Sequence, residues 1–346
     1  MKSERESSLF RAAPAAPSRA PLTAPASSWI HAPMKYALLP LLALALGLSA
    51  PLSALAKTPD GKQKLVLIAG KPSHPPRMHE FNAGVQLLAK CLAQGAPDLK
   101  VDVVLNGWPA DEAVFAGADA VVFYMDGGPK HEVVQEDGAR LATIDEWVKR
   151  GVGIGAMHYG VEVEVPQAGA QFLRWIGGHY EKAYSCNPIW EPSFTQFLEH
   201  PITRGVQPFQ IKDEWYFNMR FRPAFGDGTK PNAGGNTVFT PILVAKPSDD
   251  VRKGPYVYPK GPYEHIVAAS GRDEAVMWAV ERADGGRGFG FTGGHFHDNW
   301  NNADFRKTVL NALVWVAKGQ VPASGIASTI TPADLDANLD PKPPKK

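Results

Sequence analysis

One polar side chain is bracketed by small residues at the end of a predicted buried strand. His158 stands in the segment 156–160 (AMHYG), with Ala156 and Gly160 two positions away on either side. This spacing is typical of a nucleophile elbow, a tight strand-to-helix turn that raises one side chain above the carboxyl edge of a sheet. Because that side chain is an imidazole and not Ser or Cys, it can act as a base or bind a metal, but it cannot readily form an ester or thioester. The alternative is a buried histidine that closes a strand.

A second group of candidates lies in the loop after the first predicted strand, which reads HPPRMHE over residues 74–80. His79 and Glu80, with His74 before them, could bind a metal or the hydroxyl groups of a substrate. They could equally be the polar first residues of a helix. The end of the third predicted strand contributes Tyr124 and Asp126.

Two later segments combine aromatic residues with carboxylates or histidines. Residues 213–216 (DEWY) hold two adjacent carboxylates, which are costly unless one is protonated, paired or bound to a ligand. Residues 293–300 (GGHFHDNW) follow a predicted strand, and an extended backbone would point His295 and His297 to the same side. The His-x-His spacing is one that metal sites use. We interpret His200 as structural, in a turn that feeds a helix cap, and His179 as a loop histidine.

Alternating strands and helices would position these groups at one edge of a sheet. Apolar runs predict strands at residues 64–70, 101–105, 118–124 and 151–160, and helical periodicity predicts helices over residues 81–93 and 132–149. This rhythm predicts a doubly wound, mostly parallel α/β sheet, in which ligands bind at the carboxyl ends of the strands. The loops that carry His74, His79, Asp126 and His158 should therefore converge.

An aromatic, loop-rich insertion is expected over residues 171–262. It contains possible strands at residues 209–213 and 237–245, and its aromatic residues are predicted to cover the site. The Trp and Tyr residues concerned are Trp175, Tyr180, Tyr184, Trp190, Trp215, Tyr216, Tyr256 and Tyr258, with Tyr263 directly after the segment. Three more strands are predicted at residues 266–269, 274–280 and 288–292, followed by a helix over residues 304–317.

The composition excludes several classes of function. The net charge is +1 with 21% charged residues, so the sequence lacks the excess of basic residues that would indicate nucleic-acid binding. The sequence contains neither a Walker-type loop nor GxGxxG after the first strand, so no nucleotide cofactor is expected. Two cysteines are too few for a disulfide framework, although Cys91 and Cys186 could form an oxidised pair in an exported protein.

The N-terminal segments predict export. Residues 1–33 lack a hydrophobic period and are expected to be disordered, with translation starting at Met34. Residues 34–56 combine a basic start, a short apolar run and a small-residue site, which predicts a signal peptide cleaved after Ala56 and a periplasmic or secreted protein. An uncleaved anchor is the alternative. One domain is predicted over residues 57–320, with a flexible tail over residues 321–346.

The motifs together resemble the ThuA-like (trehalose utilisation) family over about residues 64–321. The resemblance rests on AMHYG around His158, on HPITRG at residues 200–205 leading to Asp213 and Tyr216, on Gly-Gly-His295, and on the final helix ending in ALVWVAKG. It implies a flavodoxin-like α/β fold of the class I glutamine amidotransferase-like type. The amidotransferases carry a nucleophilic Cys where His158 stands, so glutamine amidotransferase activity is not implied. The family is linked to carbohydrate catabolism and to keto sugars made by a partner dehydrogenase.

We therefore expect an exported enzyme that acts on a keto-glycoside by acid–base or metal-assisted isomerisation or elimination. The alternatives are a metal-assisted glycoside hydrolase and a carbohydrate-binding protein without turnover. A divalent metal is expected on His79, His158 and His295. The expected catalytic residues are His158, Glu214, Asp213 and His295. The expected substrate-binding residues are Asp126, Tyr124, Tyr159, Trp215, Tyr216, His297 and Asp298.

Overall fold

Residues 63–157 contribute four parallel strands to the central sheet. The computed structural model describes residues 61–342, so the predicted disordered segment, signal peptide and cleavage site lie outside the described residues. The first four strands are β1 (Gln63–Ala69), β2 (Leu99–Val104), β3 (Ala120–Tyr124) and β4 (Gly153–Met157). They pair in parallel in the order β2-β1-β3-β4. Every residue of β3 and β4 is buried, as expected for a sheet covered on both faces.

Helices cover both faces of this sheet. Helix α1 (Phe81–Gly95) packs on the face that carries Leu65 and Leu67. Helices α2 (Ala139–Lys149) and α3 (Ala170–Trp175) pack on the opposite face. The helix predicted over residues 132–149 begins only at α2, because Glu136, Asp137 and Gly138 all have positive φ and interrupt the helical backbone.

The insertion after α3 is built from very short strands. They are β5 (Gly178–His179), β6 (Ile189–Trp190), β7 (Ser193–Phe194), β8 (Phe209–Gln210), β9 (Asp213–Glu214) and β10 (Arg220–Phe221). They form three antiparallel pairs, β5 with β10, β6 with β9 and β7 with β8. The single strand predicted over residues 209–213 is thus split into β8 and β9, which pair with different partners.

Four further strands complete the central sheet. They are β11 (Asn232–Gly234), β12 (Thr237–Ala245), β13 (Glu274–Glu281) and β14 (Arg287–Phe291). β14 lies parallel to β4, and β13, β12 and β11 join the sheet in turn, each antiparallel to its neighbour. The resulting strand order is β11-β12-β13-β14-β4-β3-β1-β2. Two short helices, α4 (Asp249–Lys253) and α5 (Glu264–Val267), lie between β12 and β13. The strand predicted at residues 266–269 is wrong, since a four-residue apolar run does not distinguish a strand from a buried helical turn.

After β14, the described residues form two helices and a segment that packs on the domain. Helix α6 (Ala303–Val316) begins at Asn302, whose side chain accepts hydrogen bonds from two backbone amides of the first turn, and it packs on the same face as α1. Helix α7 (Pro332–Asp336) follows. Where the sequence predicts a flexible tail, the structure packs residues 321–342 against the domain, with the Lys342 side chain only 3% exposed. Over residues 61–342, none of the helices combines the length and apolarity needed to span a bilayer.

Candidate metal centre and its pocket

The elbow predicted around His158 is present. β4 ends at Met157, His158 follows with φ 51°, and residues His158–Val161 form one turn of 3-10 helix where a longer helix is usual. Gly160 lets the turn lie against β3, because a Cβ at this position would come within 3.2 Å of the Phe123 carbonyl oxygen. The His158 side chain is completely buried at the carboxyl edge of the sheet.

Three other strand ends deliver side chains to His158. The segment 74–80 after β1, called the His79 loop below, places His79 with φ 47°. The loop after β14 places His295, and β9 places Glu214. The carboxylate of Asp213 accepts hydrogen bonds from the backbone amides of Gly294 at 2.7 Å and His295 at 3.1 Å. Asp213 thus shapes the loop that carries His295, and it does not line the cavity described below.

Four ligand-type atoms converge at this point. His158 Nε2 lies 2.9 Å from His79 Nε2 and 3.3 Å from His295 Nδ1, and His79 Nε2 lies 3.0 Å from His295 Nδ1. Glu214 Oε2 lies 2.7 Å from His295 Nδ1 and 3.8 Å from His158 Nε2. A tetrahedral centre with bonds near 2.1 Å separates its ligand atoms by about 3.4 Å. The set His79, His158, His295 and Glu214 therefore fits a small divalent cation.

The hydrogen bonds made by the Nδ1 atoms of His158 and His79 determine that the Nε2 atoms of these rings carry no proton. His158 Nδ1 donates to the carbonyl oxygen of Thr292 at 2.9 Å, and His79 Nδ1 donates to the Asp126 carboxylate at 3.1 Å. Each neutral ring has a single N–H, so both Nε2 atoms present lone pairs to each other. Burial and the neighbouring histidines lower the pKa of His79 and of His158 well below the usual value, which favours these neutral forms.

Glu214 and Tyr216 complete the surroundings of the three rings. Asn187 donates to Glu214 Oε1 at 2.8 Å, which leaves Oε2 facing the histidines. Burial raises the pKa of Glu214, even though His295 lowers it. The Tyr216 hydroxyl lies 3.3 Å from His158 Nε2. Without a cation, Tyr216 can donate to His158 and His295 can donate to Glu214, but no donor of this set then remains for His79 Nε2.

Asp126 supports the centre from behind His79. Its Oδ1 atom also accepts a hydrogen bond from the Ser73 hydroxyl at 2.8 Å. The half-exposed ring of His74 lies over His79, with ring centroids 3.6 Å apart. A carboxylate that orients a metal-bound imidazole is the usual second layer of such sites. The predicted convergence of His74, His79, Asp126 and His158 is confirmed by these contacts.

A cavity of about 340 Å³, lined largely by charged and polar residues, opens above the centre. Its walls combine carboxylates, lysines and aromatic rings. Its lining residues include Asp126, Tyr159, Glu214, Tyr216, Lys130, Glu162, Glu164, Lys182, Asn187 and Tyr258. The first four are among the predicted site residues, Tyr258 is one of the aromatic residues expected to cover the site, and the other five are additional. The only sequence signal for Glu162 and Glu164 is the alternation VEVEV at residues 161–165, which places the carboxylates on the side opposite the buried Val161 and Val163.

The Glu162 carboxyl group has an unusual environment for an acid. Burial, followed by the charge of Glu164, raises the pKa of Glu162 to about 8. Across residues 61–342, its oxygens take part in no side-chain hydrogen bond or ion pair, although they face the cavity. An acid of this kind holds its proton near neutral pH and can exchange it with a bound molecule.

Several predicted site residues lie elsewhere. Tyr124 is buried and donates to the Gly294 carbonyl. Trp215 is in the core against Phe194, Phe291 and Phe305.

The two residues that follow His295 also turn away from the cavity. His297 begins a 3-10 turn, so it does not share the side of His295, and its Nε2 donates to the Leu335 carbonyl at 3.0 Å. Asp298 pairs with Arg77 at the surface. Of the nine aromatic residues expected to cover the site, only Tyr216 and Tyr258 line the cavity.

The parallel sheet, the helices on both faces and the strand-end site define a flavodoxin-like α/β protein, as the resemblance predicts. The family model for ThuA, described as trehalose utilisation, matches residues 66–316, and the chain belongs to this family.

Among solved structures, the chain is similar to a ThuA-like protein from Parabacteroides merdae, with 15% identity, a TM-score of 0.49, and coverage of 79% of this chain and 99% of that one. A ThuA-like protein from Bacteroides uniformis has 15% identity and a TM-score of 0.47, with coverage of 75% and 94%. No curated protein matches the sequence.

Proposed function

We propose that this protein is a metal-dependent enzyme of carbohydrate metabolism that moves a proton beside the carbonyl group of a keto-glycoside. The proposal is carried by the convergence of three imidazole nitrogens and one carboxylate oxygen at the base of this cavity. The trehalose utilisation description of the family supports a carbohydrate substrate.

His79, His158, His295 and Glu214 would hold the cation. Imidazole-rich sets with one carboxylate suit zinc, iron, nickel or copper better than magnesium or calcium. A bound cation would supply Lewis acidity toward a carbonyl oxygen. The two facing Nε2 lone pairs of His79 and His158 support this assignment, because a cation held by both rings would remove their mutual repulsion. Asp126 would keep His79 in the tautomer that can bind.

The walls of the cavity suit a polyhydroxylated ligand. Lys182, Asn187 and Glu164 offer donors and acceptors for hydroxyl groups. The ring of Tyr258 is 66% exposed at the rim and can stack on the apolar face of a sugar. The cavity lies at the small end of the range of about 300–1,000 Å³ that is usual for small-molecule sites.

Residues that line the cavity would then carry out the proton transfer. A ketone acidifies its neighbouring C–H, so isomerisation or elimination requires one group that takes this proton and one that returns it. Glu162 is suited to return the proton because its pKa of about 8 keeps it protonated near neutral pH, and Glu164, which lines the same cavity, would take the proton from the C–H group. The Tyr159 hydroxyl lines the same cavity, and burial raises its pKa, so it stays protonated and can donate to a developing oxyanion.

The surroundings of the reaction are also part of the proposal. Export would place the protein outside the cytoplasmic membrane, and it rests on the segment 34–56, which lies outside the described residues. A dehydrogenase that oxidises a sugar hydroxyl to a ketone would supply the substrate class.

Deuterium exchange tests the reaction class. Metal-loaded protein is incubated in D₂O with keto-glycosides and with the parent glycosides, and products are followed by NMR. The proposal predicts deuterium at the carbon next to the ketone, and no reaction of the parent glycosides. A Glu162→Gln variant should lose the exchange, whereas Glu181→Gln, which changes a glutamate paired with Arg220 outside the cavity, should retain it.

Two outcomes would overturn this assignment. Release of sugar from the keto-glycoside without deuterium uptake would indicate a metal-assisted hydrolase. Saturable sugar binding with neither product nor exchange would indicate a carbohydrate-binding protein.

A further inference from the structure

The segment after α7 crosses the outer side of the His79 loop. The Lys342 ammonium group donates to the carbonyl oxygens of Met78 and of His79, the latter at 3.1 Å. It also lies 3.2 Å from Glu80 Oε1, and both side chains are almost fully buried. A buried ammonium group is tolerated only when it is paired and hydrogen-bonded, so these contacts fix the position of Lys342 on the loop.

Glu80 is shared between the loop and the tail. Its Oε1 atom accepts a hydrogen bond from the Arg77 amide at 2.7 Å, within the loop. Its Oε2 atom accepts one from the Asp340 amide at 2.9 Å, in the tail. The Asp340 side chain in turn accepts from Asn82 at 2.8 Å, in the first turn of α1. One carboxylate therefore connects two segments that lie 260 positions apart in sequence.

The loop held in this way is conformationally strained. His74, Arg77 and His79 have φ values of 61°, 64° and 47°. A residue other than glycine is strained in the left-handed region, and such strain persists only where the surrounding contacts determine the backbone. On its inner side, the loop is held by the His79 amide, which donates to the His295 carbonyl at 3.0 Å. On its outer side, it is held by the tail.

We propose that residues 337–342 form a latch that fixes the His79 loop in the conformation that binds the cation, with Lys342 as its positioning residue. The proposal rests on the proposed metal centre. The Arg77 guanidinium, bonded to Asp336 at 2.8 Å, extends the same contact to the end of α7. A tail that merely covered apolar surface would stabilise the whole domain evenly. A latch instead controls the loop and, through it, the ligand His79.

Hydrogen exchange of the full chain, without and with Zn²⁺, separates these two roles. The test variant is Lys342→Met. The control is Lys90→Met, which removes another contact of the tail, the exposed pair with Asp334, without touching the loop. In the metal-free Lys342→Met variant, the amide hydrogens of residues 74–80 should exchange at least about tenfold faster than in wild type. The exchange rates of the β3 amides should be unchanged. Its Zn²⁺ affinity should fall about 10- to 100-fold, the range for outer partners of a metal ligand.

Each outcome decides one of the two proposals. Unchanged exchange of the loop in Lys342→Met, or equal acceleration in β3, overturns the latch. If wild type binds no divalent metal, the metal centre fails, while the exchange data still decide the latch. If Lys342→Met does not fold, Lys342→Gln takes its place, since it keeps a polar side chain and removes the ion pair with Glu80. The same acceleration confined to the loop is then expected, and its absence overturns the latch.

Discussion

His79 and His158 meet through their Nε2 atoms at 2.9 Å, and the hydrogen bond on the far side of each ring leaves both atoms without a proton. Two lone pairs at this distance repel each other. The surrounding fold nevertheless holds both rings in place, one on the elbow after β4 and one on a strained loop after β1. We therefore regard this pair as the centre of a cation site, and the predictions below follow from it.

The Asp126→Asn substitution should weaken metal binding without abolishing it. The carboxylate fixes the His79 tautomer and strengthens the ring as a ligand, so its loss should reduce affinity about 10- to 100-fold with unchanged stoichiometry. Titration calorimetry with Zn²⁺ measures both quantities. Asp145→Asn, which alters a carboxylate bound to Arg174 and Trp175, is the matched control. Equal affinities for Asp126→Asn and wild type would argue against His79 as a ligand.

The dependence of activity on pH should report Glu162. If the protonated carboxyl group is the active form, activity is present below about pH 8 and declines as the pH rises through the raised pKa of this group. Glu162→Gln should abolish most activity and remove the alkaline decline from the remainder. The pH profile of kcat for both proteins provides the measurement. An alkaline limb that persists in the variant would assign the titration to another group.

Only one of two large aromatic residues should affect sugar binding. Tyr258→Ala removes an exposed ring at the rim of the cavity, so affinity should fall about threefold to tenfold with little change in stability. Trp215→Phe alters a ring enclosed by the core, so it should lower the unfolding midpoint and leave affinity unchanged. Binding titrations and thermal unfolding distinguish the two. The reverse pattern would restore Trp215 as a ligand contact.

Acid should destabilise the fold through buried neutral histidines such as His200. Its Nδ1 accepts a hydrogen bond from the Ile202 amide at 3.1 Å, and burial lowers its pKa to about 4. The unfolded chain binds this proton near pH 6.5, so the unfolding free energy should fall as the pH drops from about 6.5 to about 4, by up to about 3 kcal/mol.

A substitution that keeps the cap isolates this effect. His200→Asn retains the acceptor for Ile202 and cannot titrate, so its stability should depend less on pH than that of wild type. Urea unfolding at pH 7 and pH 4.5 gives the comparison. An identical loss of stability in both proteins would show that His200 does not contribute.

The sequence predicts the framework of the site because each framework element has a local signature. Buried parallel strands appear as short apolar runs, and the elbow at His158 appears as small residues at a fixed spacing. Since such strands end at a common edge, the convergence of His74, His79, Asp126 and His158 follows from topology alone.

The remaining features depend on contacts between distant residues. The parity of His295 and His297 holds only for an extended backbone, whereas the chain turns into a 3-10 helix at His297. Trp215 is enclosed by residues of β7, β14 and α6, none of which is its sequence neighbour. The composition of the tail is typical of a mobile segment. The Lys342–Glu80 pair that fixes the tail joins opposite ends of the domain, so the local sequence does not reveal it.

Elemental analysis of purified protein after exposure to Zn²⁺, Mn²⁺, Fe²⁺ and Ni²⁺ tests the central claim most directly. Wild type is compared with His158→Ala and with His179→Ala, a second buried histidine that bonds to the Tyr180 carbonyl. We expect one equivalent of a divalent metal in wild type and His179→Ala, and loss of that metal in folded His158→Ala. Wild type that retains none of these metals, or His158→Ala that retains a full equivalent, would contradict the account.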